Sequence, residues 1–290
     1  MKPIFVRTIS GLIYAAVLIG CILWCKYSFL ALMLFFAATL TYEFLRLTMG
    51  REYFFSQILT MVTSATFVAL IWAVRTLPSL PAEFAFLILF PILVIMVNSL
   101  YVRDKTDFGK FANIYASFVY IALPVSMFNY LVIDGDGNYN GLILVLFMVL
   151  VWMSDVGAYV FGMSFGQKYG KKLFESISPK KSWIGFWGGM FVAILVSLIF
   201  CFTGVWKIAG AEYISWYHSI ILAVLMNIAG VYGDLFESQW KRITPSRIRA
   251  SLSRATAVCL TGSIPLCLQC RWECSTSISC YTLFHNRINK

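Results

Sequence analysis

Residues 141–163 read GLILVLFMVLVWMSDVGAYVFGM, a run of 23 residues with a single charged side chain, Asp155. About 20 consecutive apolar residues allow an α-helix to cross the hydrocarbon core of a bilayer. A carboxylate in that environment is costly unless it is paired or faces a polar cavity. The stretch therefore predicts a membrane-spanning helix, with Asp155 as a candidate functional residue.

The whole chain has the composition of a polytopic membrane protein. Of its 290 residues, 60% are hydrophobic and 12% charged, and the mean hydropathy is +0.79. A soluble domain carries about 25% charged residues, so an ordinary soluble enzyme is excluded. We predict an all-α polytopic helical membrane protein with about eight transmembrane helices. The predicted spans are 9–25, 28–47, 55–74, 83–101, 112–133, 141–163, 186–205 and 215–234.

The net charge of +10 indicates how these spans are oriented. With the N-terminus in the cytoplasm, fourteen Lys and Arg residues fall in cytoplasmic segments and three in outside loops. The other six follow residue 242. This asymmetry obeys the positive-inside rule. We expect an integral multi-pass protein with a cytoplasmic N-terminus and a cytoplasmic active site, in the inner membrane if the source is bacterial.

A basic motif precedes the seventh apolar run. Residues 178–182 read SPKKS. Lysines and hydroxyls at the start of a helix suit phosphate binding. An ordinary positive-inside loop or a patch for anionic lipid would also explain the lysines. The candidate residues are Ser178, Lys180, Lys181 and Ser182.

A second polar motif ends the last span, where residues 227–242 read NIAGVYGDLFESQWKR. Five of its side chains share one helical face: Asp234, Glu237, Ser238, Lys241 and Arg242. Such a set is often only a salt-bridged helix end. Together with Asp155, however, Asp234 could hold Mg²⁺ while the lysines bind phosphates. The combination indicates phosphoryl or nucleotidyl transfer on a lipid head group.

Three stretches resemble the CDP-diacylglycerol synthase (phosphatidate cytidylyltransferase) family: SDVGAYVFGMSFGQKYGKK at 154–172, SPKKSW at 178–183 and GDLFESQWKR at 233–242. The resemblance implies that phosphatidate and CTP give CDP-diacylglycerol and pyrophosphate, with Mg²⁺ as cofactor. The family usually has Glu where this chain has Ile184. The implied partners are CTP, phosphatidate and membrane lipid, with no nucleic acid, and a homo-oligomer is left open.

The resemblance also implies roles for individual residues. The residues implied to be catalytic are Asp155, Asp234, Lys181 and Lys241. Asp234 and Asp155 would also be the metal ligands. The residues implied to bind substrate phosphate are Ser178, Lys180, Ser182, Ser238 and Arg242.

The chain departs from the family after Arg242. The family continues with a signature of the form K-D-x-G-x-x-x-P-G-H-G-G-x-x-D-R-x-D, whereas residues 243–290 hold five of the eight cysteines and no such string. Joining the last base of each codon to the first two of the next permits that signature, without a gap, over residues 246–264. We interpret the tail as a one-nucleotide frameshift in or near the codons for 242–243, which would impair activity.

These motifs divide the chain into three parts. Residues 1–140 hold five N-terminal spans, 141–242 form the catalytic membrane region and 243–290 are the out-of-frame tail. An ion- or proton-coupled transporter, with Asp155 and Asp234 as ion sites, is one alternative. It would predict internal repeats, whereas the polar motifs are confined to 150–242. A lipid-alcohol kinase is the other, but it would not predict the family resemblance.

Overall fold

A computed structural model describes residues 3–77, 87, 89–101, 108–166, 171–174 and 178–243, and this part is predominantly helical. Residues 244–290 of the tail lie outside the described residues. The helices in chain order are α1 (Pro3–Trp24), α2 (Lys26–Met49), α3 (Phe54–Thr76), α4 (Leu89–Ser99), α5 (Phe108–Ser117), α6 (Leu123–Val132), α7 (Leu142–Phe161), α8 (Trp183–Phe202), α9 (Val205–Ile208) and α10 (Trp216–Ile243).

Shorter elements join some of these helices. A 3₁₀ turn, Arg51–Tyr53, precedes α3. The π-helical segment Phe118–Ala122 makes α5 and α6 continuous, and a second one, Gly162–Gly166, extends α7. Isolated π-helical turns inside α-helices occur frequently at functional sites.

Among the residues that the structure describes, six helical segments are long and apolar enough to cross a membrane. They are Lys26–Met49, Phe54–Thr76, Ala112–Val132, Leu142–Gly166, Trp183–Phe202 and Trp216–Leu235. Each matches a predicted span. The first and fourth predicted spans coincide with shorter apolar helices, Gly11–Trp24 and Leu89–Ser99. The all-α, multi-span membrane fold is confirmed, and the count of eight stays a prediction.

The break between α1 and α2 is fixed by a reciprocal cap. The backbone N–H of Ser28 donates to Cys25 Sγ at 3.4 Å, and the backbone N–H of Cys25 donates to Ser28 Oγ at 3.1 Å. These bonds satisfy two N–H groups that lack partners within the helix. Helix α2 ends at Gly50, whose φ of 79° is readily adopted only by glycine.

The loop between α6 and α7 is a tight turn. Asp134 Oδ1 accepts hydrogen bonds from the backbone N–H groups of Asp136 and Asn138, at 3.0 and 2.8 Å. The loop is held against α1 and α3. Tyr139 donates its hydroxyl to the carbonyl of Ile22, and Arg75 Nη2 donates to the carbonyl of Ile133. These side-chain hydrogen bonds therefore fix the loop between α6 and α7 to α1 and α3.

A two-stranded antiparallel sheet lies between α7 and α8, and the sequence did not predict it. Strand β1 is Lys172–Phe174 and strand β2 is Ser178–Ser182, with Lys172 opposite Ser182 and Phe174 opposite Ser178. Strand β1 has only three residues and β2 is the polar sequence SPKKS, so neither shows the alternating apolar pattern by which strands are recognised. The hairpin delivers the SPKKS motif directly to the start of α8.

Candidate active site

Lys181 and Asp234 form an ion pair between the hairpin and α10. The Lys181 ammonium nitrogen contacts Asp234 Oδ2, with the side chains 25% and 46% exposed. An ion pair that is this open to solvent adds only about 0–1 kcal/mol to stability. Its importance lies in its position, since it joins two motifs that are 53 residues apart in sequence.

The hairpin and the cap of α8 set the position of Lys181. The next residue, Ser182, is the N-cap of α8, and its Oγ accepts a hydrogen bond from the backbone N–H of Gly185 at 3.2 Å. The backbone N–H of Trp183 donates to the carbonyl of Lys171 at 3.1 Å, which ties the helix start to the other end of the hairpin. The two residues that directly follow Lys181 are therefore both held by hydrogen bonds.

Asp155 is the third charged group at this place. It lies on α7, inside the span Leu142–Gly166, and it is exposed on the surface of the chain. Its carboxylate interacts electrostatically with both Asp234 and Lys181. Two carboxylates and one ammonium group from three separate elements thus lie within electrostatic range of one another, and Lys181 and Asp234 are in direct contact. We call Asp155, Lys181 and Asp234 the acid–lysine cluster.

Close packing of α7 on α8 helps to bring these charged groups near one another. A Cβ atom built on Gly157 would lie 2.7 Å from Val192 Cγ2 and 3.0 Å from the carbonyl oxygen of Gly188. One built on Gly185 would lie 3.0 Å from the carbonyl oxygen of Ala158. Small residues let membrane helices approach until their backbones touch. The glycines of the two motifs therefore hold the part of α7 that carries Asp155 against the N-terminal half of α8, the helix that directly follows the strand with Lys181.

Sequence reasoning missed a buried polar contact beneath the cluster. Ser154 Oγ donates to Asn227 Oδ1 at 2.7 Å, which connects α7 to α10. The Asn227 side chain is 1% exposed and that of Ser154 is 6% exposed. An amide and a hydroxyl within predicted membrane spans were the available signal, because polar groups there need partners.

The other predicted site residues have these places in the structure. Ser182 is buried and its hydroxyl caps α8, while Ser178 begins the same strand and is half-buried. Ser238 is half-buried, one turn after Asp234 on α10. The side chains of Lys180, Lys241 and Arg242 lie outside the described set, although the backbone of each is assigned. The single helical face predicted for residues 234–242 agrees with the continuity of α10.

The cluster can be compared with the needs of a divalent cation. No group of three or more His, Cys, Asp or Glu side chains converges within the described part of the chain. Mg²⁺ is bound in phosphate-transferring sites by one or two carboxylates together with waters and substrate phosphates. Lys181 contacts Oδ2 of Asp234, and a carboxylate has a second oxygen that can accept a cation. Asp155 and Asp234 therefore fit Mg²⁺ in number and in donor type.

Comparison with known proteins shows what the chain is similar to. A sequence model described as the cytidylyltransferase family matches residues 5–245. The chain is 40% identical over 105 residues to a phosphatidate cytidylyltransferase of Haemophilus influenzae, covering 36% of this chain and 35% of that protein. It is 28% identical over 155 residues to one of Bacillus subtilis, covering 53% of each chain. A Chlamydia muridarum phosphatidate cytidylyltransferase is 30% identical over 128 residues, which cover 43% of this chain and 41% of the relative. The chain thus spans about a third to a half of the length of these curated relatives.

Proposed function

This chain belongs to the cytidylyltransferase family, and on that premise we propose that it converts phosphatidate and CTP to CDP-diacylglycerol and pyrophosphate. The observation that carries the proposal is the acid–lysine cluster, formed where three membrane helices and a basic hairpin meet. The names of the three relatives agree with this activity. The chain is an integral membrane protein, as an enzyme acting on a bilayer lipid requires.

The proposed reaction is a displacement at phosphorus. A phosphate oxygen of phosphatidate forms a bond to the α-phosphorus of CTP. The bond from that phosphorus to the bridging oxygen of the β-phosphate breaks, and pyrophosphate leaves with the electron pair. Negative charge is concentrated on both reactants, so catalysis depends chiefly on positioning and on electrostatic stabilisation.

Lys181 is the described side chain best suited to that electrostatic role. Its ammonium group is held beside Asp234, and its side chain is 25% exposed. A lysine acts as a compact positive charge toward phosphate oxygens. When substrate enters, the Lys181 ammonium can contact a phosphate while Asp234 keeps the lysine oriented. Lys180 and Ser178 on the same strand, and Lys241, Arg242 and Ser238 on α10, are the further phosphate-binding residues of the proposal.

Asp155 and Asp234 would hold Mg²⁺ when the nucleotide is bound. Asp234 contacts Lys181, and Asp155 lies within electrostatic range of both, which supports assigning the two carboxylates to one site. The cation would offset the charge of the CTP phosphates. Lys181 belongs to a basic segment that the positive-inside rule assigns to the cytoplasm, so we place the active site on that side.

The proposal includes the frameshift in the tail. The family match ends at residue 245, and the predicted change of frame lies at 242–243. The signature permitted by the codon junctions would add acidic residues and a histidine directly after α10. Catalysis by the chain as written should therefore be impaired, because those side chains are missing.

The experiment compares membranes that contain the chain as written with membranes that contain a frame-restored form, in which the codons after 242 are read in the alternative frame. Formation of CDP-diacylglycerol is measured with CTP and phosphatidate, each omitted in turn. We expect product from the frame-restored form only, and only with both substrates. Full activity of the chain as written would contradict the frameshift account, and no product from either form would contradict the proposed reaction.

A further inference from the structure

Asn227 is a buried amide in α10 that has no part in the proposed chemistry. Its Oδ1 accepts the hydrogen bond from Ser154 Oγ at 2.7 Å. Its Nδ2 donates to the backbone carbonyl of Phe186 at 3.4 Å. One side chain, 1% exposed, therefore connects α10 to α7 and to α8. We call Ser154, Asn227 and the Phe186 carbonyl the polar node.

The polar node lies next to the acid–lysine cluster in sequence on each helix. Ser154 directly precedes Asp155 on α7. Asn227 precedes Asp234 by seven residues, or two turns, so both lie on one face of α10. Phe186 is in the first turn of α8, which follows the strand that carries the lysine. A displacement at the node would therefore move all three members of the cluster relative to one another.

Gly189 shows how closely the helices meet at this point. A Cβ atom built there would lie 2.8 Å from the carbonyl oxygen of Ser154 and 3.0 Å from Asn227 Oδ1. Either distance is shorter than an ordinary van der Waals contact, so a side chain at Gly189 would displace one of the two groups. The backbone of α8 at Gly189 therefore packs directly against the polar node and limits how closely Asn227 can approach α8.

A second polar contact between α8 and α10 lies far from the acid–lysine cluster. Ser197 Oγ donates to the carbonyl of Ser219 at 3.0 Å, and both side chains are fully buried. Ser197 is eight residues beyond Gly189 along α8, about 12 Å at the rise of an α-helix. This contact supplies a matched control. It too is a polar bond between α8 and α10, but it has no neighbour in the acid–lysine cluster.

We propose that Asn227 is a positioning residue, which fixes the register and rotation of α7, α8 and α10 so that Asp155, Lys181 and Asp234 meet. The inference about helix geometry stands on the hydrogen bonds. Its consequence for catalysis rests on the proposed function. In a membrane, an amide without a partner has no water to replace the lost bond, so the helices stay where Asn227 can bond to both neighbours.

The test measures helix positions in the chain as written and needs no activity. Spin labels are placed on exposed sites near the cluster, at Tyr159 on α7 and Tyr232 on α10, in a background whose native cysteines are replaced. The distance distribution between them is measured by pulsed electron paramagnetic resonance in nanodiscs. Asn227→Leu removes both hydrogen bonds, and Ser197→Ala is the control.

We expect Asn227→Leu to shift or broaden the distribution between the labels, and Ser197→Ala to leave it unchanged. The same distribution in both variants as in the parent would overturn the proposal. Ser154→Ala removes only the donor, so it provides the same test if Asn227→Leu is poorly produced. A shift with Ser197→Ala as large as that with Asn227→Leu would also overturn it, because the effect would then be general to polar helix contacts.

A kinetic measurement on the frame-restored form separates positioning from overall stability. Misplaced catalytic groups lower turnover by about tenfold to a hundredfold while substrate still binds. We expect Asn227→Leu to lower kcat by such a factor, with KM for CTP and the unfolding midpoint close to those of Ser197→Ala. A normal kcat would overturn the catalytic consequence. An inactive parent would contradict the proposed function and leave the distance test valid.

Discussion

The ammonium group of Lys181 contacts the carboxylate of Asp234, although one side chain belongs to a β-hairpin and the other to the last membrane helix. This contact predicts that cysteines at the two positions can be joined. With the native cysteines replaced, Lys181→Cys and Asp234→Cys in one chain should be linked in high yield by a short bifunctional thiol reagent. The product is detected by cutting the chain between the two positions and measuring whether the fragments stay together.

The control pairs Lys181→Cys with Glu212→Cys, which lies in the loop before α10 at its opposite end. That pair should remain unlinked, because Asp234, which Lys181 contacts, lies 18 residues, about 27 Å, beyond the first residue of α10, Trp216. Equal linking of both pairs would contradict the position of the hairpin described here.

Asp155 should determine how much magnesium the frame-restored enzyme needs. Asp155→Asn removes one of the two carboxylates assigned to the cation, so the Mg²⁺ concentration for half-maximal activity should rise by about tenfold or more. The measurement is a Mg²⁺ titration of CDP-diacylglycerol formation. Asp136→Asn, in the loop at the other end of α7, should leave the titration unchanged. An unchanged requirement in Asp155→Asn would remove this carboxylate from the metal site.

The contact between α7 and α8 should tolerate no side chain at Gly157. Gly157→Ala places a methyl group 2.7 Å from Val192 Cγ2, and overpacking of this kind costs about 1–3 kcal/mol. Gly20→Ala on α1 is the matched control, since nothing lies within 4 Å of the added atom. Thermal unfolding in detergent should show a lower midpoint for Gly157→Ala than for the parent. The midpoint of Gly20→Ala should equal that of the parent. Equal midpoints would contradict the close approach of the helices.

The loop after α6 should give stability that depends on pH. Partial burial raises the pKa of Asp134, but hydrogen bonds from Asn138 and Asp136 and the charge of Arg75 outweigh it, so the pKa lies below its ordinary value. A lowered pKa in the folded state means that the carboxylate stabilises the fold above the unfolded pKa, about 3.9. That contribution is lost as the pH falls through the folded value.

Asp134→Asn therefore should lower the unfolding midpoint at pH 7, and its difference from the parent should shrink as the pH falls below about 4. Thermal unfolding in detergent at pH 7, 5 and 3 measures this. A difference that stays constant across this range would show that the charge of Asp134 does not stabilise the loop.

Much of the fold could be predicted because one physical requirement dominates it. A helix must be apolar over about 20 residues to cross a bilayer, and the six long helices coincide with runs found in this way. The hairpin that carries Lys181 could not be found by that rule. Its strands, of three and five residues, are too short to show a period, and the longer one, SPKKS, has no alternating apolar residues.

The sequence named candidate site residues, which stay a prediction, but it did not give their contacts. Asp155 and Asp234 were singled out because charges within apolar runs are costly. That Lys181 pairs with Asp234 depends on how α7, α8 and α10 are rotated about their axes. This rotation is set by contacts at Gly157 and Asn227, which join residues distant in sequence. The sequence pattern of one helix does not show which residues of another helix it will contact.

The central claim is that the acid–lysine cluster performs cytidylyl transfer, and one assay tests it most directly. The frame-restored form is given radiolabelled CTP and phosphatidate in mixed micelles, and labelled CDP-diacylglycerol is measured for Lys181→Ala, Asp234→Asn and the control Glu212→Gln. We predict that the first two lose about a hundredfold or more in rate, while the control keeps the rate of the parent. Full activity in both Lys181→Ala and Asp234→Asn would contradict the claim.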